Sequence, residues 1–129
     1  MNHFLGFFHE HTRSDRDNYV TVDWDAIDAY QKEKGEDHWK HNFYKCTESG
    51  CKDLDVGYDY SSIMHYGQYL GGTKVMTPKQ SGVTIGQRQQ LSSKDIIGLN
   101  EHYCSGPGKK RCNYILSFNK TIISTMFHC

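Results

Sequence analysis

The chain has 129 residues, the length of one globular domain, and it carries 15 basic and 15 acidic residues. This balance of charge does not indicate a nucleic acid or an anionic membrane surface as a partner. Hydrophobic residues make up 36% of the chain, and no apolar run approaches the roughly 20 residues that a membrane span requires. Aromatic residues make up 13%, so we expect a small, aromatic-rich core rather than a disordered chain.

Three of the eight histidines fall within the first eleven residues, MNHFLGFFHEH. This stretch lacks the basic start and the small-residue cleavage site of a signal peptide. If residues 1–5 form the last turn of a helix, Gly6 can adopt a positive φ and turn the chain, which brings His9 back toward His3. Two imidazoles that converge across such a turn suit Zn²⁺. Two ordinary surface or core histidines are the alternative.

Short regular elements are predicted after this turn. The alternating, β-branched run 19–24 (YVTVDW) predicts a short strand, and a helical turn follows at Asp25–Ala29. His38, Trp39 and Phe43 have the spacing of one face of a further helix that enters a loop.

The segment 57–69 (GYDYSSIMHYGQY) is dense in Tyr and Gly and has neither helical nor strand periodicity. An irregular segment of this kind in a short domain is typical of a functional turn. Met64 can provide a soft, apolar floor beneath a metal site. Tyr66 can ligate the metal or donate a hydrogen bond to a developing oxyanion. Core packing of Met64 and an ordinary buried phenol at Tyr66 are the alternatives.

A late helix follows a stretch of turn signals at Thr77–Pro78, Ser81–Gly82 and Ile85–Gly86. The run Ser92–Ser93–Lys94–Asp95 predicts its start, with a Ser N-cap and an acidic residue in the first turn, and the apolar spacing predicts that the helix ends near Cys104.

The five cysteines are an odd number, which in a secreted protein leaves one without a partner in the chain. Cys46 and Cys51 flank Ser49–Gly50, a spacing that can close a small disulfide loop in a secreted protein. Two unrelated thiols are the alternative. Cys112 and Cys129 lie in a tail that is first basic and then apolar.

Three blocks of this sequence resemble the astacin family of zinc metalloendopeptidases. The metzincin pattern is H-E-x-x-H-x-x-G-x-x-H followed by a Met-turn, and its second His, its Gly and its third His match His3, Gly6 and His9. The family's signature run, Met-turn and closing segment resemble, in that order, residues 9–20 (HEHTRSDRDNYV), 58–67 (YDYSSIMHYG) and 85–96 (IGQRQQLSSKDI). The resemblance covers residues 1–104.

The resemblance implies an α+β fold, namely the C-terminal half of a metzincin, astacin-like catalytic domain that is mostly irregular with a late α-helix. We expect a partial peptidase domain at 1–104 and a C-terminal extension of unknown structure at 105–129. The resemblance also implies a secreted, extracellular protein, in which Cys104 pairs with a cysteine of the domain's N-terminal half.

The resemblance implies a zinc endopeptidase that hydrolyses peptide bonds inside protein or peptide substrates. His3 and His9 resemble two of the zinc ligands, as neutral imidazoles. Tyr66 resembles the switchable tyrosine that ligates zinc at rest and stabilises the tetrahedral intermediate.

Four further residues acquire roles from the same resemblance. Met64 corresponds to the structural methionine of the Met-turn, and Gly6 to the glycine of the zinc-binding pattern. Glu10 corresponds to the acid that anchors the mature N-terminus, with a solvated surface carboxylate as the alternative. Arg88 is expected to line the pocket after the scissile bond and to favour acidic side chains there.

The first His of the pattern and its general-base Glu correspond to positions two residues and one residue before Met1. We therefore expect the 129 residues by themselves to bind zinc weakly and to be inactive on protein substrates. The alternative function is a non-catalytic secreted binding protein that retains the lower half of the fold. An in-frame His-Glu immediately upstream of Met1 would distinguish the enzyme from this alternative.

Overall fold

The computed structural model describes residues 8–46 and 56–104, with side chains through Glu101. The predictions for His3, Gly6, Cys51 and the extension 105–129 therefore lie outside the described residues. The regular elements are short strands and two α-helices, so the predicted α+β class is confirmed: β1 (Val20–Val22), α1 (Trp24–Lys34), β2 (Tyr69–Leu70), β3 (Thr73–Lys74), β4 (Met76–Pro78) and α2 (Ser93–Cys104). Neither helix is long and apolar enough to cross a bilayer.

The predicted strand in the run 19–24 is present as β1, and it pairs antiparallel with β4. The register places Val20 opposite Pro78 and Val22 opposite Met76. The Thr77–Pro78 turn signal therefore gave the wrong prediction, because these residues belong to β4. Proline cannot donate to a ladder but is tolerated at a strand end, which is the place that Pro78 occupies.

Helix α1 is longer than the helical turn predicted at Asp25–Ala29. The Asp23 carboxylate caps it by accepting a hydrogen bond from the main-chain nitrogen of Ala26 at 2.9 Å. Gly35 ends it with a φ of +67°, in the left-handed conformation typical of a helix C-cap. Ile27 is the buried residue of this helix, so its apolar periodicity is too weak to predict its length from sequence.

Strands β2 and β3 form a hairpin. Neither strand was predicted from the sequence. Gly71 and Gly72 connect them with φ of +54° and +91°, conformations that glycine adopts without penalty. A Cβ atom on Gly71 would lie 2.5 Å from the Tyr30 ring, so the hairpin tip packs closely against α1. The helix face predicted over residues 38–43 is a 3₁₀ helix at Lys40–Phe43, in which Phe43 is buried.

Helix α2 begins and ends where it was predicted. The Ser92 hydroxyl accepts a hydrogen bond from the Asp95 nitrogen, and the Asp95 carboxylate accepts one from the Ser92 nitrogen, each at 2.9 Å. This reciprocal capping box satisfies two main-chain donors at the helix start.

The predicted irregular segment 57–69 contains no helix or strand at residues 57–68, whereas its last residue, Tyr69, begins β2. The segment contributes Tyr58 to the hydrophobic core, whose other buried side chains come from β1, α1, β4 and the neighbouring non-strand segments: Val20, Ile27, Phe43, Val75, Met76 and Ile85. Gly86 packs against the main chain of this segment at Gly67. A Cβ atom on Gly86 would lie 2.3 Å from the Gly67 Cα, so the two main chains are in direct contact.

Replacement of Gly86 by alanine should destabilise the fold more than the same change at Gly72. The two glycines have nearly equal φ, +89° and +91°, so the backbone strain of alanine, roughly 1–2 kcal/mol, is shared. At Gly72 the new methyl group meets no atom within 4 Å, whereas at Gly86 it collides with main chain. We expect Gly86→Ala to lower the free energy of unfolding by at least about 2 kcal/mol more than Gly72→Ala, measured by urea denaturation. Equal losses would contradict this close contact.

Candidate metal centre and its supporting turn

His9 is held by the turn that carries Met64. Its Nδ1 lies 3.0 Å from the Met64 carbonyl oxygen, and the same oxygen accepts a hydrogen bond from the Glu10 nitrogen at 3.3 Å. A carbonyl can only accept, so Nδ1 carries the proton that His9 donates to Met64. Metal-binding histidines are oriented by this kind of hydrogen bond, and His9 therefore fits the role of a zinc ligand through Nε2.

The contacts of Met64 that stabilise the site are made by its main chain. Its nitrogen donates to the Ser62 hydroxyl at 3.0 Å, and its carbonyl binds His9. The role predicted for the Met64 side chain beneath a metal site stays a prediction.

Tyr66 lies beside His9, so the structure brings together two of the predicted site residues. The ring centroids of His9 and Tyr66 are 4.5 Å apart in an edge-to-face arrangement. His11 stacks on Tyr66 with centroids 4.1 Å apart and an interplanar angle of 27°. Burial raises the pKa of Tyr66, so its hydroxyl keeps its proton at neutral pH and can donate a hydrogen bond.

His65 fixes the main chain next to Tyr66. Its Nδ1 lies 2.7 Å from the Tyr66 carbonyl oxygen and its Nε2 lies 2.7 Å from the Tyr58 hydroxyl. Since the carbonyl requires a proton on Nδ1, Nε2 accepts and the phenol of Tyr58 donates. Burial lowers the pKa of His65 to about 4, so this ring is neutral at physiological pH.

Glu10 is not a solvated carboxylate, because its side chain is 14% exposed. Its Oε1 accepts a hydrogen bond from the Asp59 nitrogen at 2.8 Å and lies 3.6 Å from Nε of Arg13. Burial outweighs these two contacts and raises the pKa of Glu10 to about 7. Glu10 thus joins the segment that carries His9 to the start of the turn, and its role toward an N-terminus stays a prediction.

Arg88 binds the main chain of the turn that carries Met64 and Tyr66. Its Nη1 donates to the carbonyl oxygens of Ile63 at 3.0 Å, His65 at 2.7 Å and Gln87 at 2.8 Å. Burial lowers the pKa of this guanidinium. These contacts give Arg88 a supporting role next to Tyr66, and the predicted contact with substrate stays a prediction.

Asp95 is a supporting residue that the sequence reasoning missed. Its carboxylate accepts hydrogen bonds from the Ser62 hydroxyl at 2.7 Å and the Ile63 nitrogen at 2.9 Å, in addition to capping α2. The spacing of Ser92 and Asp95 signals the capping box. No local pattern indicates the contact with Ser62, which is 33 residues away.

Among the described residues, no three His, Cys, Asp or Glu side chains are grouped closely enough to hold a metal ion. Of the two residues predicted as zinc ligands, His9 lies within the described residues and His3 lies outside them. Cys46 is disulfide-bonded, which excludes two unrelated thiols, and its pairing with Cys51 stays a prediction.

Comparisons with known proteins match the part of the chain that resembles the astacin family. Residues 1–104 match the family model described as Astacin, a peptidase family. The chain is 45% identical over 112 residues to zinc metalloproteinase dpy-31 of Brugia malayi and 39% identical over 114 residues to zinc metalloproteinase nas-15 of Caenorhabditis elegans. These alignments cover 80% and 85% of this chain but 17% and 19% of the two relatives, so the chain spans about a fifth of their length.

A solved structure supports the fold as well. The chain is similar to high choriolytic enzyme 1, a hatching enzyme zinc-protease from the medaka Oryzias latipes, with a TM-score of 0.61 and 41% identity. The similarity covers 77% of this chain and 46% of that chain. Together with the family match, it confirms the resemblance that the three sequence blocks indicated.

Substitution of Glu10 by glutamine should stabilise the fold in a pH-dependent way. The pKa of Glu10 rises from its ordinary 4.5 to about 7, so the folded state binds the proton more tightly than the unfolded state does. The stability of the parent therefore falls as the pH rises from about 4.5 to about 7, whereas glutamine carries no such penalty. The advantage of Glu10→Gln in the free energy of unfolding should grow across this range, by up to roughly 3 kcal/mol.

The measurement is urea denaturation at a series of pH values. Glu33→Gln, on an exposed part of α1, is the matched control because the Glu33 side chain is 68% exposed. An advantage of Glu10→Gln that stays constant between pH 4 and pH 8 would show that Glu10 is not desolvated in the folded chain.

Proposed function

The chain belongs to the astacin family of peptidases, and on this premise we propose that its function is zinc-dependent hydrolysis of internal peptide bonds in proteins. The observation that carries the proposal is the hydrogen bond from His9 Nδ1 to the Met64 carbonyl, which orients the His9 ring beside Tyr66. Protein or peptide substrates and a secreted, extracellular location belong to the same proposal.

His3 and His9 would hold the zinc ion, each as a neutral imidazole. When bound, zinc lowers the pKa of a coordinated water and polarises the substrate carbonyl. The contribution of His9 is a lone pair whose direction is fixed by Met64. The pattern's first His and its Glu correspond to positions before Met1, and that Glu would move the proton of the attacking water.

Tyr66 would stabilise the charge that develops on the substrate oxygen. Its phenol stays protonated because burial raises its pKa, so it can donate a hydrogen bond to an oxyanion. Its ring packs against the His9 ring in an edge-to-face arrangement with centroids 4.5 Å apart, which places the phenol next to the proposed zinc ligand.

Zinc titration of the 129-residue chain tests the metal site. We expect weak binding that His9→Phe reduces by at least roughly tenfold, because a ligand is removed. His38→Phe is the matched control, since the His38 side chain is 61% exposed. Isothermal titration calorimetry measures both variants, and equal losses in the two would contradict a role of His9 as ligand.

Peptide hydrolysis tests the reaction. The 129-residue chain is expected to leave a fluorogenic peptide intact, and a protein that carries an in-frame His-Glu directly before Met1 is expected to cleave it. Cleavage by the 129 residues alone would show that the pattern's Glu is not required. A His-Glu protein that binds zinc but cleaves no peptide would favour the non-catalytic binding protein.

Arg88 is proposed to favour acidic side chains after the scissile bond. In a protein with the complete zinc pattern, Arg88→Gln should lower the ratio of kcat/KM for an acidic peptide to that for a neutral one. We expect a decrease of roughly fivefold, which corresponds to about 1 kcal/mol from a partly shielded ion pair. Because Arg88 also holds Ile63 and His65, the variant will lose stability. The ratio cancels the folded fraction, so an unchanged ratio would assign Arg88 a structural role alone.

A further inference from the structure

His11 is a fully buried histidine to which the mechanism above gives no role of its own. Its Nε2 lies 3.0 Å from the Asn42 carbonyl oxygen and therefore carries a proton that it donates. Among the buried side-chain nitrogen and oxygen atoms of the described residues, Nδ1 of His11 is the one that has no hydrogen-bond partner. A buried acceptor without a donor costs free energy, so this position does not use the full hydrogen-bonding capacity of histidine.

The face of the His11 ring is in contact with the face of Tyr66. The centroids are 4.1 Å apart and the planes are inclined by 27°, which is a stacked pair. Phe43 meets both rings, with centroids 5.5 Å from His11 and 5.8 Å from Tyr66. The His9 and Tyr66 rings form an edge-to-face pair with centroids 4.5 Å apart. Tyr66 therefore contacts one stacked ring, His11, and two rings inclined steeply to it.

Main-chain contacts do not account for the orientation of the Tyr66 ring. His65 fixes the Tyr66 carbonyl, and Gly86 lies close to the main chain at Gly67, but neither contact restrains rotation about the side-chain torsions. The stacked face of His11 does restrain this rotation. Its hydrogen bond to Asn42 in turn anchors the His11 ring.

We infer that His11 is a positioning residue, whose ring face fixes the orientation of the Tyr66 phenol beside His9. The position requires a flat ring that stacks on Tyr66 and a donor that binds the Asn42 carbonyl. The imidazole of His11 provides both. The functional consequence rests on the proposed function, because the orientation matters for catalysis where Tyr66 acts beside zinc. The orientation itself does not depend on that proposal.

Two substitutions separate the ring of His11 from its hydrogen bond. His11→Phe keeps a flat aromatic face and loses the donor to Asn42. His11→Gln keeps an amide donor and loses the ring. Ile27→Val in α1, which removes a methyl group from the buried core, is the control for a general loss of stability. All are made in the full 129-residue chain with ¹³C-labelled tyrosine, and Tyr66→Phe assigns the Tyr66 signals.

The readout is the ¹H–¹³C NMR spectrum of the Tyr66 ring, together with the thermal midpoint of each variant. We expect the ring-current shift of Tyr66 to persist in His11→Phe and to collapse toward its value in a short peptide in His11→Gln. We also expect ring flips to be faster by roughly two- to tenfold in His11→Gln, as the strength of an aromatic pair implies. In Ile27→Val we expect a lower thermal midpoint but no change in the ring-current shift or the flip rate of Tyr66.

The outcomes distinguish His11 from the zinc proposal. Tyr66 signals that follow the thermal midpoints, or that are unchanged in His11→Gln, would overturn the positioning role. Addition of Zn²⁺ alone should shift the Tyr66 signals in the parent and in His11→Phe more than in His11→Gln. A parent chain whose Tyr66 signals do not respond to Zn²⁺ would count against the metal site, and the zinc-free spectra would still decide the role of His11.

Discussion

The hydrogen bond from His9 Nδ1 to the Met64 carbonyl joins parts of the chain that are 55 residues apart, and the geometry of the site depends on it. It fixes the tautomer and the orientation of the imidazole. Since the acceptor is a main-chain oxygen, the position of the turn determines the position of His9. Any displacement of the turn would therefore move both His9 and Tyr66, whose rings are in contact.

The turn keeps its shape without the ladder of a sheet or the repeating bonds of a helix. Side chains from the closing segment replace these bonds: Asp95 accepts from Ile63, and Arg88 donates to the Ile63 and His65 carbonyls. Hydrogen bonds to charged groups contribute roughly 1.5–3 kcal/mol each, more than neutral ones. The late helix α2 thus serves the site through its first turn, because the same carboxylate that caps the helix also binds the turn.

Local patterns predicted β1, the irregular turn and α2, because alternation, turn residues and a capping box act within a few positions. The second strand of the pair was missed, since Thr77–Pro78 has turn chemistry and its partner β1 lies far away in the sequence. The burial of Glu10 was not predicted either, because desolvation depends on what packs over a carboxylate and not on its neighbours in sequence. The stack of His11 on Tyr66 arises in the same way from tertiary packing.

Burial also sets the charge around the site. It lowers the pKa of both His11 and His65, so these rings are neutral at physiological pH although they lie close to His9 and Tyr66. A protonated imidazole at the 5.6 Å that separates the His9 and His11 centroids would oppose a divalent cation through Coulomb repulsion. The neutral rings of His11 and His65 pack near the site without that repulsion. The packing that confines Tyr66 is therefore the same packing that keeps its histidine neighbours compatible with a metal at His9.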